Sequence, residues 1–309
     1  MSMNKKELLD KIKGENRKMT IKHFISLCII VCTIFISTGC DLIESSKKTN
    51  EQLFEEGLIA NTENKNEKAF KSFKKAAEQG YAPAQYEVGD CYKYGNGVET
   101  NKEEAIKWYK LAAEQEEKMA QYVLGFCYMH GEGVEINKEE AVKWWTKAAE
   151  QGHLLAQHDL GLCYMKGEGV KQNKKEGIKW LKIVAEKKYV PAQFLLGLCY
   201  TEGDGVEINK EEAVKWWTKA AEQGDTASQS ILGGCYMRGE GVKQNKEEAI
   251  KWLKKAANKG YAPAEYVLGF CYMHGEGVEI NKEEAIKWWT KAAEQGHKDA
   301  EKKLKELDH

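Results

Sequence analysis

From residue 81 onward the apolar positions alternate between two helical patterns that return every 36 residues. Counting from Ala84 as zero, apolar or small residues stand at 0, +4, +7, +8 and +11, namely Ala84, Val88, Cys91, Tyr92 and Gly95. One repeat further on the same places hold Ala120, Leu124, Cys127, Tyr128 and Gly131. That spacing is one face of a helix, termed helix A, expected over about 83–94 in the first unit. Gly125, at +5, leaves room for a neighbouring helix to approach. Helix A is expected to stop at Gly131-Glu132-Gly133-Val134, where glycine supplies a positive φ. A second helix, B, opens at Asn137-Lys138-Glu139-Glu140. Asn followed three residues later by Glu is a capping-box pattern, and it recurs at Asn101/Glu104, Asn173/Glu176, Asn209/Glu212, Asn245/Glu248 and Asn281/Glu284. Helix B then offers Ala141, Val142, Trp145, Ala148 and Ala149 for burial, and Gly152 ends it.

A fixed period of this length marks a solenoid. The units are 81–116, 117–152, 153–188, 189–224, 225–260 and 261–296. Units two, four and six share EINKEEA and KWWTKAAEQG, whereas three and five share GVKQNK and IKWL, a pattern of copying in blocks of 72 residues. Unit one reads Ala82-Pro83-Ala84-Gln85, Val88-Gly89, Tyr92, Gly95-Asn96-Gly97-Val98. Unit six reads Ala262-Pro263-Ala264-Glu265, Leu268-Gly269, Tyr272, Gly275-Glu276-Gly277-Val278. These residues resemble the Sel-one-like repeat family, a branch of the tetratricopeptide-like solenoids. The resemblance covers about 51–309 and implies an all-α, right-handed α/α solenoid of 36-residue helix-turn-helix repeats. It speaks for a fold more than for a function. Residues 51–80 lack the G-x-G-V loop and are closer to a tetratricopeptide capping repeat, with Phe54, Leu58, Phe70 and Phe73 as its expected core. A C-terminal capping helix, 297–309, keeps Ala300, Leu304 and Leu307 on one face.

The first forty residues read as an address. Phe24 to Ile36 is an uncharged run of thirteen residues. A membrane-crossing helix needs about 20, and a signal-peptide core about 7–15. Lys18 and Lys22 precede it, and Ser37-Thr38-Gly39-Cys40 follow. Small residues ending in Gly-Cys after an apolar run resemble the lipobox of bacterial lipoproteins. This implies a signal peptide over 1–39, with Met19 as an alternative start, and a lipid on Cys40. Residues 40–50 then form a polar tether. The other reading is an uncleaved anchor helix from about Ile21 to Ile43. Either way the body is expected at the cell envelope, outside the cytoplasmic membrane, with secretion as the alternative.

Charge narrows the partners. The formal net charge of the chain is −1, and loss of 1–39 with its seven basic and three acidic residues leaves −5. Such a body offers no bulk basic footprint for nucleic acid. Six of the nine cysteines, Cys91, Cys127, Cys163, Cys199, Cys235 and Cys271, occupy one helical position in successive units. Equivalent helices lie about 8–10 Å apart or more, beyond the reach of about 7 Å that a disulfide allows, so buried free thiols are expected. A cysteine-rich branch of the resembled family pairs two cysteines within each unit, whereas this chain has one per unit. No spacing fits a zinc motif, and no metal or cofactor is expected. All nine tryptophans fall on helix B and read as packing. Ser72 to Lys75 and Ser45 to Lys48 match S-x-x-K, but S-D-N and K-T-G are missing from the chain. A β-lactamase-like or penicillin-binding activity is thus implied only by family analogy.

What remains is a surface. Positions +2, +6 and +9 of helix A point away from the core face. They bring Tyr86, then Tyr122, Phe126 and Met129, then His158, Leu162 and Met165, then Phe194 and Leu198, and finally Tyr266, Phe270 and Met273. His130 heads a neighbouring position, +10, whose charge varies from unit to unit. In solenoids of the resembled type helix A lines the concave side, and an aromatic and Met-rich trough suits a peptide or partner helix. The same stripe could instead pack between successive A helices, and the sequence leaves both readings open. The expected function is a noncatalytic protein- or peptide-binding scaffold held to the membrane by its lipid. The alternatives are the β-lactam activity and a secreted host-contact factor.

Overall fold

A computed structural model describes residues 48–307. The expected signal segment, Cys40, Ser45 and most of the expected tether lie outside the described residues, as do the last two positions. The described residues hold fifteen α-helices and no strand. The first pair is α1 (Asn50–Thr62) and α2 (Asn66–Glu78). The six repeats follow as A and B helices: α3 (Ala82–Tyr94) and α4 (Lys102–Glu114), α5 (Lys118–His130) and α6 (Lys138–Glu150), α7 (Leu154–Lys166) and α8 (Lys174–Glu186). They continue with α9 (Val190–Glu202) and α10 (Lys210–Glu222), α11 (Thr226–Arg238) and α12 (Lys246–Ala257), α13 (Ala262–His274) and α14 (Lys282–Glu294). The last helix is α15 (Lys298–Leu307). Each helix packs chiefly on its neighbours in the chain, so residues 49–307 form an all-α solenoid. No described helix is long and apolar enough to cross a membrane.

Local chemistry sets the boundaries. Each A helix from α3 to α13 ends on a left-handed glycine whose N–H donates to the carbonyl of the unit's cysteine, as Gly131 does to Cys127 at 2.8 Å. The second loop glycine works differently. Gly133 has φ +71, and a Cβ there would stand 2.5 Å from the Lys102 carbonyl oxygen of the preceding helix B. Only glycine lets this loop rest on that helix end.

The B helices keep half of the expected capping box. Asn137 Oδ1 accepts from the Glu140 N–H at 3.0 Å, and the other five repeat the bond. The glutamates do not turn back to the cap. The Asn137 N–H donates instead to the Tyr128 carbonyl at 2.8 Å, and Glu140 pairs with Lys143 at 3.1 Å. The cap N–H is taken by tertiary structure, which frees the glutamate for a surface pair. The one complete capping box among the described residues is Thr49 with Gln52.

The cores lie between units. Ala141, Val142, Trp145, Ala148 and Ala149 of α6 pack with Ala156, Leu160 and Cys163 of α7. The first tryptophan of each following helix B reaches back to close such a cluster, as Trp144 does over Leu124 and Cys127. The second tryptophan has its own place: Trp145 lies against Gly125, where a Cβ would meet its Cδ1 at 2.5 Å, and its Nε1 donates to the Tyr122 carbonyl at 3.1 Å. All six repeat cysteines are buried free thiols. Burial pushes their pKa values up, to about 12 at Cys91 and Cys163.

Two expectations at the ends are corrected. Leu58 is 39% exposed and outside the first core. The inward face of α1 is Leu53, Gly57 and Ala60, and Leu58 stands about 100° around the helix from Gly57. In α15, Ala300 is buried and Leu304 half-buried, but Leu307, the last helical residue, is exposed.

Candidate functional site

The A helices present the positions that the sequence singles out, but at different depths. Tyr86, Tyr122, His158, Phe194 and Tyr266 are half-buried, as are Phe126, Leu162 and Leu198. His130 is exposed. Met129 and Met165 are each 8% exposed, and their outward placement is corrected. Met129 joins the core of Trp145 and Leu160, and Met165 joins that of Ile178 and Leu181. Residue 177 is a local difference rather than the cause, since Met129 is equally buried in a core with Ala141 at the matching place. Glycine stands there where the other B helices carry alanine, and a Cβ would meet the Met165 Cγ at 2.7 Å. The +9 methionines are thus inter-repeat packing, while +2 and +6 keep a surface.

Between α5 and α7 that surface opens into a cavity of about 270 Å³. Phe126, Met129, His130, Trp145 and Leu162 line it, with Asp159, Cys163, Lys166 and Glu168. Four sequence candidates, Phe126, Met129, His130 and Leu162, therefore meet in one place. Tyr86, Phe194, Leu198, Tyr266, Phe270 and Met273 lie on other units and do not line it. The cavity has an apolar floor and a rim of both charge signs. It can accept one apolar side chain of a partner and satisfy polar groups beside it.

Asp159 is the residue that the pattern did not reveal. Its Oδ1 lies 2.9 Å from His158 Nδ1, and the Tyr122 hydroxyl donates to its Oδ2 at 3.3 Å. Burial and this carboxylate push the Tyr122 phenol above its ordinary pKa. The Tyr122 ring stacks on His153 at 4.5 Å, and His153 Nδ1 accepts from the Ala156 N–H, capping α7. Burial lowers the His153 pKa, which favours the neutral ring that can accept this bond. Asp159 thus fixes two aromatic side chains at the cavity's edge. Its signal was a carboxylate at +3 of helix A, where units two, four, five and six carry Val, Leu, Ile and Val.

Unit one carries a more polar version. The Tyr109 hydroxyl donates to Asp90 at 2.5 Å. Burial and the Asp90 charge push the Glu87 carboxyl up to about 7. Lys93 bridges to unit two, pairing with Glu132 at 3.0 Å and lying 5.4 Å from the Phe126 ring centre. No group of three or more His, Cys, Asp or Glu among the described residues could hold a metal ion. Ser72 is buried in the first pair, while Lys75 is exposed.

A family model described as Sel1 repeat matches seven stretches of the chain, 52–81, 82–117, 118–153, 154–189, 190–225, 226–261 and 262–297. The first of these is the pair without the long loop. Among solved structures, the chain is similar to c5321, a protective antigen present in uropathogenic Escherichia coli strains that displays an SLR fold. The two are 34% identical, with a TM-score of 0.78 over 81% of this chain and 55% of that one. The chain thus spans about half the length of the E. coli protein. It is also similar to a Sel1 repeat protein from Oxalobacter formigenes, at 35% identity and a TM-score of 0.64, covering 80% of this chain and 97% of that one. No curated protein matches the chain significantly.

Proposed function

Because the chain belongs to the Sel1 repeat family, we propose that it is a noncatalytic scaffold that seats a protein or peptide partner on the exposed face of its A helices. The cavity between α5 and α7 carries this reading. It gathers half-buried Phe126 and Leu162 over a packed floor, with Tyr122 and His158 fixed beside it by Asp159. A face whose aromatic groups are already held loses little side-chain freedom on binding. The buried Ser72 favours no hydrolytic alternative. The test compares Leu162→Glu with Ile183→Glu, an exposed position on α8, for capture of a partner by the full chain. Capture lost in the first and kept in the second supports the reading. Equal capture by both overturns it.

The scaffold works at the cell envelope, held through a lipid on Cys40 and facing away from the cytoplasm. The Gly39-Cys40 junction after an uncharged run supports this, and so does the similarity to a protein described as a protective antigen. Metabolic labelling with an alkyne fatty acid should mark the wild-type chain and not Cys40→Ser. Absence of label from both would remove the lipid anchor and favour an uncleaved helix or a released host-contact factor.

A further inference from the structure

Five A helices carry a buried glutamine one residue after their first buried alanine or serine: Gln85, Gln121, Gln157, Gln193 and Gln229. Each Nε2 donates to a carbonyl of helix B in the preceding pair, at Ala77, Ala113, Ala149, Ala185 and Ala221, over 2.9–3.2 Å. In the first four, Oε1 accepts from the side chain thirty residues on, Gln115, Gln151, Lys187 or Gln223. One side chain therefore donates to the helix before it and accepts from the helix after it. It ties three helices together at each of these four joints.

The sixth A helix breaks the series. Glu265, 3% exposed, stands where the glutamines stand. The accepting half is intact, since Gln295 Nε2 donates to Glu265 Oε2 at 2.7 Å. The donating half depends on charge. A carboxylate has no hydrogen to offer the Ala257 carbonyl, whereas a carboxylic acid has one. The charged groups acting on Glu265 come from α14, Lys291 and Glu294, and their signs oppose each other. Burial outweighs them and raises its carboxyl above the ordinary range. The joint before it is also incomplete: Gln229 Oε1 has no donor, because Lys259 turns to the Gly224 carbonyl at 2.8 Å.

We propose that Glu265 makes the joint between units five and six a proton-sensitive latch. Protonated, it gives Ala257 the hydrogen bond that glutamine gives elsewhere, and α13 is tied to α12. Ionised, it withdraws that bond and leaves a buried charge, and the joint loosens. A raised folded pKa means that this contribution is complete at acid pH and is lost as pH rises through the folded value. The latch bears on the A face, since α13 carries Tyr266 and Phe270.

The chain contains its own control. The 32 residues from Tyr122 to His153 recur from Tyr266 to His297 with one difference, Val142 for Ile286. The surroundings recur with them. Gln151 meets Gln121 at 2.8 Å as Gln295 meets Glu265 at 2.7 Å, and Tyr266 stacks on His297 as Tyr122 does on His153. The test is amide hydrogen exchange on the full chain at pH 7.5 and 5.5, corrected for the intrinsic rate and referred to α9 and α10. In the wild type, protection of α13 and α14 should rise several-fold at the lower pH. Glu265→Gln should hold high protection at both pH values. Gln121→Glu should confer the pH response on α5 and α6, and His153, present in both chains compared, cancels. A response that persists in Glu265→Gln, or one missing from the wild type or from Gln121→Glu, overturns the proposal.

Discussion

Glu87 shows how one residue departs from a repeating scaffold. At its position units two, four, five and six hold aliphatic side chains, yet here a carboxyl is half-buried beside Asp90. Burial first, and Asp90 second, push it up to about 7. The raised folded value places its full contribution below the ordinary carboxylate range, and that contribution is lost as pH rises through about 7. Glu87→Gln should therefore unfold in urea near the wild-type midpoint at pH 5 and later than wild type at pH 8. A constant offset across that range would contradict the assignment. Glu265 is common to both chains and cancels. At this scale the sequence was least readable. Leu58 looked like core because it is large and apolar, but its angle on α1 decided otherwise. Met129 and Met165 looked outward, but both pack into the cores between units, whether alanine or glycine stands at the matching place of helix B. Asp159 belongs to no motif, and its role emerges only from the approach of Tyr122 and His158.

At the scale of helices the sequence was nearly fully legible. Glycine, asparagine and the alanine stripe fix the starts, stops and buried faces, and the described helices begin and end within a residue or two of them. The capping boxes are the exception, and the reason is tertiary. A loop that folds back onto helix A delivers the Tyr128 carbonyl to the Asn137 N–H, and no local pattern reports that. The second loop glycine makes the sharpest prediction here. Gly133→Ala would put a methyl group into the Lys102 carbonyl at a φ of +71. Left-handed backbone alone costs an ordinary residue about 1–2 kcal/mol. The substitution should destabilise the fold by at least that much in urea unfolding, and by more than Gly152→Ala, where φ is +81 and no atom lies within 4 Å. Equal losses would show that close packing on α4 contributes nothing.

At the scale of the molecule, each unit is stabilised chiefly by its neighbours, and the same residues take different exposure according to the helix packed after them. Phe126 is half-buried beneath the thirteen-residue α7, while its copy Phe270, with the ten-residue α15 next in the stack, is 44% exposed. The 36-residue period alone made the solenoid legible, and seven matched Sel1 repeats place the chain in its family. The binding face was half legible. The period named the stripe, but only the packing of α5 on α7 separates the buried methionines from the open Phe126 and Leu162. The most direct test puts a photocrosslinking amino acid at position 162, and in a second chain at position 183, in cells making the full protein. A binding face on the A helices predicts a discrete protein adduct from 162 and none from 183. Adducts of equal yield from both positions, or from 183 alone, would contradict it.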